Sequence, residues 1–101
     1  MNIKITSRKF KAKDSLKDFI NQELKALEKY HDKILDTNVV LSFTHLTDSI
    51  KTAEIIVKIP GKTISVSTDS DAFEKSVSKS VDKIIRQLSK VKTKRITRGK
   101  L

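Results

Sequence analysis

The apolar residues of this chain recur with two different periods, and the order of those periods limits the fold more than any other feature. Ile3 and Ile5 alternate with Asn2, Lys4 and Thr6, which predicts a short strand over residues 2–6 with one buried face. Leu16, Phe19, Ile20, Leu24 and Leu27 then recur at three- to four-residue spacing, which predicts a helix over 15–31 with one apolar stripe. Asp14 or Ser15 is placed to accept the free backbone N–H groups at its start, and Asp18 completes a weak capping box with Ser15. Alternation returns over 37–45, with Val39, Leu41 and Phe43 on one face, and over 51–59, with Ala53, Ile55, Val57 and Ile59 inward. A polar turn over 45–50 separates these two strands, and Pro60-Gly61 turns the chain into a fourth over 62–68. Asp69-Ser70-Asp71 suits a helix N-terminus, and the stripe Phe73, Val77, Val81, Ile84, Leu88 and Val91 carries a second helix to about residue 92.

The order is therefore β-α-β-β-β-α. The first crossover implies a parallel strand pair, and the short later links imply an antiparallel meander. Each helix has one apolar stripe and each strand one apolar face. The expected fold is an α+β two-layer sandwich, with both helices on one face of a four-stranded sheet and the other face open to water. With 101 residues there is room for one domain, expected over 1–92, followed by a basic, flexible C-terminal tail over 93–101.

Charge is distributed unevenly along this frame. Residues 1–74 carry 12 basic and 11 acidic side chains, net +1, whereas residues 75–101 carry 10 basic ones and only Asp82, net +9. Lys75, Lys79, Lys83, Arg86 and Lys90 repeat the spacing of the second helix's apolar stripe, displaced by two residues, or about 200° around the axis. The cations are thus expected as a line about 22 Å long on the side opposite the core contact. Lys92, Lys94, Arg95, Arg98 and Lys100 continue it into the tail. A solvated face would ordinarily pair acids with bases at i, i+4, and here only Asp82 interrupts the cations. A polyanionic partner, above all nucleic acid, accounts better for the pattern.

Other classes find no support. The absence of cysteine excludes disulfides, thiolate nucleophiles and cysteine-based metal sites, and neither a membrane-spanning run nor a signal-peptide core occurs. A cytoplasmic location, no cofactor and no small-molecule substrate are expected. His31 and His45 have no acid at a recruiting spacing and read as surface or helix-end residues, and Gly61 and Gly99 cannot build a phosphate loop. Phe19, Phe43 and Phe73 fall on core stripes, while Phe10 and Tyr30 lie near element ends, so no row of rings is left to stack bases. Contacts to nucleic acid should go mostly to phosphates and shape.

The chain resembles the short form of the ribosome hibernation promoting factor family, also called ribosome-associated inhibitor A or ribosomal subunit interface protein. The resemblance runs from Met1 to about Lys94. It is carried by Asn2-Ile3-Lys4-Ile5-Thr6-Ser7-Arg8, Leu27-Glu28-Lys29-Tyr30, Val39-Val40-Leu41-Ser42 and Pro60-Gly61-Lys62. The most specific stretch is Val81-Asp82-Lys83-Ile84-Ile85-Arg86-Gln87-Leu88-Ser89-Lys90. It implies a fold similar to a double-stranded-RNA-binding domain and a non-enzymatic role. The implied role is binding to 16S rRNA of the small ribosomal subunit in the mRNA/tRNA channel, which blocks translation and preserves idle ribosomes under stress. The implied RNA-binding positions are Lys75, Lys79, Lys83, Arg86, Lys90 and Lys94 on the second helix and tail, with Arg8, Lys25 and Lys29 as a second tier.

Departures from the family pattern are Phe73 in place of a tyrosine, Ser78 in place of an aspartate, His31 where phenylalanine is common, and Ser7 where glycine often stands. Long-form members add a ribosome-pairing domain. This chain stops at Leu101 and is not expected to dimerise ribosomes through such a domain; a monomer when free is expected, with a separate ribosome-dimerising factor as a candidate partner. A general basic nucleic-acid-binding module, or a regulator binding a transcription factor, would rest on the same charge pattern.

Overall fold

The computed structural model describes residues 1–43 and 50–100, with side chains as far as Val91 at the C-terminal end. Its elements are β1 (Asn2–Ser7), α1 (Asp14–Lys25) with a 3-10 turn (Ala26–Lys29), β2 (Asp36–Phe43), β3 (Lys51–Ile59), β4 (Lys62–Ser70) and α2 (Phe73–Lys100). The sheet order is β1-β2-β3-β4. β1 pairs parallel with β2 through Ile5↔Val39, and β2, β3 and β4 form the antiparallel meander through Leu41↔Ala53 and Ile55↔Val66. The alternation in the sequence fixes this register, because a one-residue slip would carry every apolar side chain to the wet face. Pro60 and Gly61 close the β3–β4 hairpin, and Gly61 adopts φ 79°, a conformation that costs a glycine nothing sterically.

One core lies between the sheet and the two helices. Val39, Leu41, Ala53, Ile55 and Val57 from the sheet are fully buried against Ile20, Leu24 and Leu27 from the first helical segment and Val77, Ile84 and Leu88 from α2. The opposite sheet face is polar, with Lys4, Asn38, Lys58, Ser65, Ser67 and Asp69 exposed along it. Phe10, in the β1–α1 connection, stacks on Phe73 with ring centroids 5.0 Å apart and meets Phe43 edge-on at 5.7 Å. This closes the end of the sheet where α2 begins. Phe19, expected on the core stripe, is half-buried and stands apart from the core cluster.

Four local expectations are corrected. The first helix is capped at Lys13, whose carbonyl accepts the Leu16 and Lys17 N–H groups, so neither Asp14 nor Ser15 is the cap. Asp14 instead lies in the first turn, where its charge complements the dipole. The helix does not stay α-helical to residue 31. It tightens to 3-10 over Ala26–Lys29, and Leu27 O receives the Tyr30 and His31 N–H groups. His31 is buried, not at the surface, because the chain folds back there toward β2, and its Nδ1 accepts the Lys33 N–H at 3.1 Å. Finally, α2 runs to Lys100 and not to about residue 92. No proline interrupts it, and the Lys and Arg residues beyond Val91 are good helix formers, so the backbone continues past its apolar stripe. His45 lies outside the described residues.

Ile84 and Leu88 anchor α2 and are fully buried. Ile84→Ala should therefore lower unfolding free energy by about 2–5 kcal/mol, the range for truncating a buried aliphatic side chain. Urea denaturation followed by circular dichroism would measure it.

Candidate nucleic-acid interface

The position of the basic row follows from how α2 is seated. Ser76 and Ser80, one helical turn apart, are fully buried on the flank of α2 that faces β3. Ser76 Oγ donates to the Lys51 carbonyl at 2.6 Å, and Ser80 Oγ donates to the Ala53 carbonyl at 3.2 Å. On the other flank, Ser78 Oγ donates to Glu23 Oε1 of α1 at 2.7 Å. Ser78, one of the departures from the family pattern, thus joins the two helices. These three hydroxyls fix the rotation of α2 about its own axis.

That rotation decides where the cations point. Lys75, Lys79, Lys83, Arg86 and Lys90 are all exposed, as their spacing predicts. Their line is not diametrically opposite the core. It leans past Ser76 and Ser80 toward the edge strand β4, because α1 occupies the other flank. Lys79, Lys83 and Arg86, together with Asp82, form one wall of a groove of about 430 Å³ whose other wall is Ser67, Thr68 and Asp69 of β4. A cleft of that size is in the range that binds small ligands or single groups of a larger one.

The other expected positions are distributed around this groove and not within it. Lys75 lies one turn earlier and forms an ion pair with Asp71, Nζ to Oδ1 3.1 Å. The i, i+4 spacing of Asp71 and Lys75 carries the signal for that pair in the sequence. Lys90 continues the row one turn beyond Arg86. Lys94 belongs to the helical backbone of α2, and its side chain is outside those described. Arg8 is exposed at the end of β1, the opposite edge of the sheet from β4. Lys25 and Lys29 are exposed on the first helical segment, across α2 from the groove. Ser67 and Thr68 carry no signal in the sequence, because a strand residue reveals its face but not which helix lies across from it; Asp69 and Ser70, expected at the start of the second helix, instead extend β4 by pairing with Thr52 and Lys51.

Electrostatically the row is unbalanced. Among the described residues, Lys79, Lys83, Arg86 and Lys90 take part in no ion pair. Like charges at i, i+4 destabilise a helix by a few tenths of a kcal/mol per pair, roughly as much as opposite charges stabilise it. Among the described residues no group of three or more His, Asp or Glu could hold a metal ion, and no helix is long and apolar enough to cross a membrane.

At the N-terminal end of α2 the Asp71 carboxyl is held below its ordinary value of 3.8, first by its hydrogen bond from Lys75 and then by the charge of that lysine. Because the folded-state value is lowered, the pair's contribution is full above pH 3.8 and is lost as pH falls through the lowered value. An NMR titration of the Asp71 carboxyl carbon should give a midpoint below 3.8, returning toward it in Lys75→Ala.

The fold is shared with known proteins. The N-terminal domain of Protein Y from Thermus thermophilus superposes with a TM-score of 0.81 at 28% identity, covering 90% of this chain and 99% of that one. A ribosomal subunit interface protein from Coxiella burnetii superposes with a TM-score of 0.83 at 27% identity, covering 92% and 99%. The ribosome hibernation promoting factor of Escherichia coli K12 is 28% identical over 94 residues, 93% of this chain and 96% of that protein. That of Azotobacter vinelandii is 24% identical over 98 residues, 97% and 89%. Residues 3–96 match the family described as sigma 54 modulation protein / S30EA ribosomal protein, and the chain belongs to that family.

Proposed function

We propose that this chain is a ribosome hibernation factor. It binds the small ribosomal subunit in the mRNA/tRNA channel through 16S rRNA, blocks translation by occupying that channel, and preserves idle ribosomes during stress. The observation that carries this reading is the row Lys79, Lys83, Arg86 and Lys90 on α2, which takes part in no ion pair among the described residues and is fixed in direction by the Ser76, Ser78 and Ser80 hydrogen bonds. A helix that holds like charges in a rigid line tolerates their repulsion where a polyanion lies against it. The family membership and the names of the relatives support the ribosome as that polyanion.

In this reading Lys79, Lys83, Arg86 and Lys90 make the principal phosphate contacts, and Lys75 and Lys94 extend them along the helix. Arg8 and the pair Lys25 and Lys29 reach rRNA from the β1 edge and from α1, so the domain is held from several sides of a channel. Residues 1–92 form the binding domain, and residues 93–101 extend its positive charge. The protein acts in the cytoplasm as a monomer, without cofactor or chemistry.

Co-sedimentation with purified small subunits tests the proposal. If about six phosphates are contacted, affinity should fall roughly a thousandfold between about 50 and 200 mM salt. Binding that persists unchanged at about 300 mM salt would contradict an interface built on phosphates. Replacing Lys79, Lys83, Arg86 and Lys90 together by Ala should abolish both co-sedimentation and inhibition of in vitro translation. The circular dichroism spectrum should be unchanged, because all four side chains are exposed.

A further inference from the structure

An open sheet has two edges to protect from pairing with another chain, and the two edges of this sheet differ. β1 is six residues long and carries the exposed Lys4 in its middle. β4 is nine residues long, contains no proline, keeps an unbroken register with β3, and bears no charged side chain from Thr63 to Thr68. The hairpin defines its free side. The two-residue Pro60-Gly61 turn makes Ile59↔Lys62 a hydrogen-bonded pair, and such pairs alternate along an antiparallel ladder. Ile64, Val66 and Thr68 therefore turn their backbone groups to β3, whereas Thr63, Ser65, Ser67 and Asp69 turn theirs outward. Among the described residues no strand lies on that side. A long, regular, uncharged edge is a template for a further strand. The charge that β4 lacks stands beside it, in Lys79, Lys83 and Arg86 of α2 along the edge over 67–69.

We propose that the β4 edge is a self-association surface, fitted to the antiparallel β4 of a second copy, and that the basic row of α2 holds it closed. One register pairs all the outward residues of both copies, with a two-fold axis at Val66. It sets Thr63 opposite Asp69 of the second copy and Ser65 opposite its Ser67. No like charges then face each other across the strands. Thr63 meets Asp69 as Thr52 does within the sheet, where Thr52 Oγ1 donates to Asp69 Oδ1 at 2.7 Å. The strands are compatible, but the helices are not. α2 packs on both β3 and β4, so strands paired at about 4.8 Å would bring two copies of α2 to about 10 Å, the separation of packed helices. Ser76 is bonded to Lys51, level with Ser70, and Ser80 to Ala53, level with Thr68. The same progression puts Ile84 level with Val66. Lys83 and Arg86 of both copies would therefore crowd the axis, flanked by Lys79 and Lys90, and Asp82 offsets only one charge in each row. This repulsion is salt-controlled, because the screening length is about 10 Å at 0.1 M and about 3 Å at 1 M. The edge is closed in dilute salt and opens when the row is screened or neutralised, whichever polyanion the row binds.

Sedimentation equilibrium of the full chain, free of nucleic acid, tests this. The wild type should be monomeric at about 0.1 M salt and associate roughly tenfold more tightly at about 1 M, the reverse of the salt dependence of phosphate contacts. Lys79→Ala, Lys83→Ala and Arg86→Ala together should give a dimer at either salt concentration. In that dimer the Ser65 and Ser67 amide protons should exchange roughly tenfold more slowly than in the wild-type monomer, because they become hydrogen-bonded. Adding Ser65→Lys and Ser67→Lys sets like charges opposite one another across the strand pair and should restore the monomer. Both positions are exposed, so the circular dichroism spectrum should not change. Monomers throughout, for the wild type in high salt and the triple variant in low salt, would overturn the proposal. So would a dimer whose Ser65 and Ser67 amides exchange as in the monomer, or one that survives the two added lysines. With neither ribosome nor RNA present, these outcomes are separate from those that test the proposed function.

Discussion

The structure depends on how α2 is seated against β3 and β4. Its apolar stripe, with Val77, Ile84 and Leu88 fully buried, supplies the attraction, on the order of 1.5–3 kcal/mol for each large side chain withdrawn from water. Apolar contact alone is tolerant of small rotations of a helix about its axis. The serines are less tolerant, because a hydrogen bond to a carbonyl is directional. Ser76 and Ser80 meet two carbonyls of β3 and Ser78 meets Glu23 of α1, so the helix is held from both flanks. Serine also keeps the helix close to the sheet, since a larger side chain at Ser76 or Ser80 would need space that a fully buried position does not offer.

Everything outward-facing on α2 inherits that setting. A cation on a loop could turn to meet a phosphate, whereas one on a seated helix presents its charge at a fixed place. Lys79, Lys83 and Arg86 are thereby brought against β4, an edge strand, and form a groove with it. Lys75 differs from its neighbours because Asp71 engages it. The positive field is therefore strongest from the second turn of α2 onward, and the mixed charges of the groove lie within that region.

Much of this was legible in the linear pattern. The period of two in the strands and of three to four in the helices gave the element order, the parallel first pair, the meander and the face each strand buries. The five exposed cations of α2 were legible for the same reason, because helical spacing is a local geometric rule. Capping was not, since Asp14 and Ser15 are the favoured capping types, whereas the extended backbone at Lys13 sets the helix start there with no side-chain cap. His31 was misread because its burial depends on the path from the 3-10 turn to β2 and not on its neighbours in sequence. The continuation of α2 past Val91 shows the opposite case, in which local propensity extends a helix beyond the stripe that buries it.

The sequence by itself determined a near-neutral β-α-β-β-β frame followed by a strongly basic helix, because period and net charge are properties of neighbours along the chain. Only the tertiary structure decided that the basic row leans toward β4, that the edge of β4 over 67–69 lies beside it, and that Arg8, Lys25 and Lys29 stand elsewhere on the surface. The physical reason is that the rotation of α2 is set by hydrogen bonds and packing to residues far away in sequence, Glu23, Lys51 and Ala53. No local period encodes those partners.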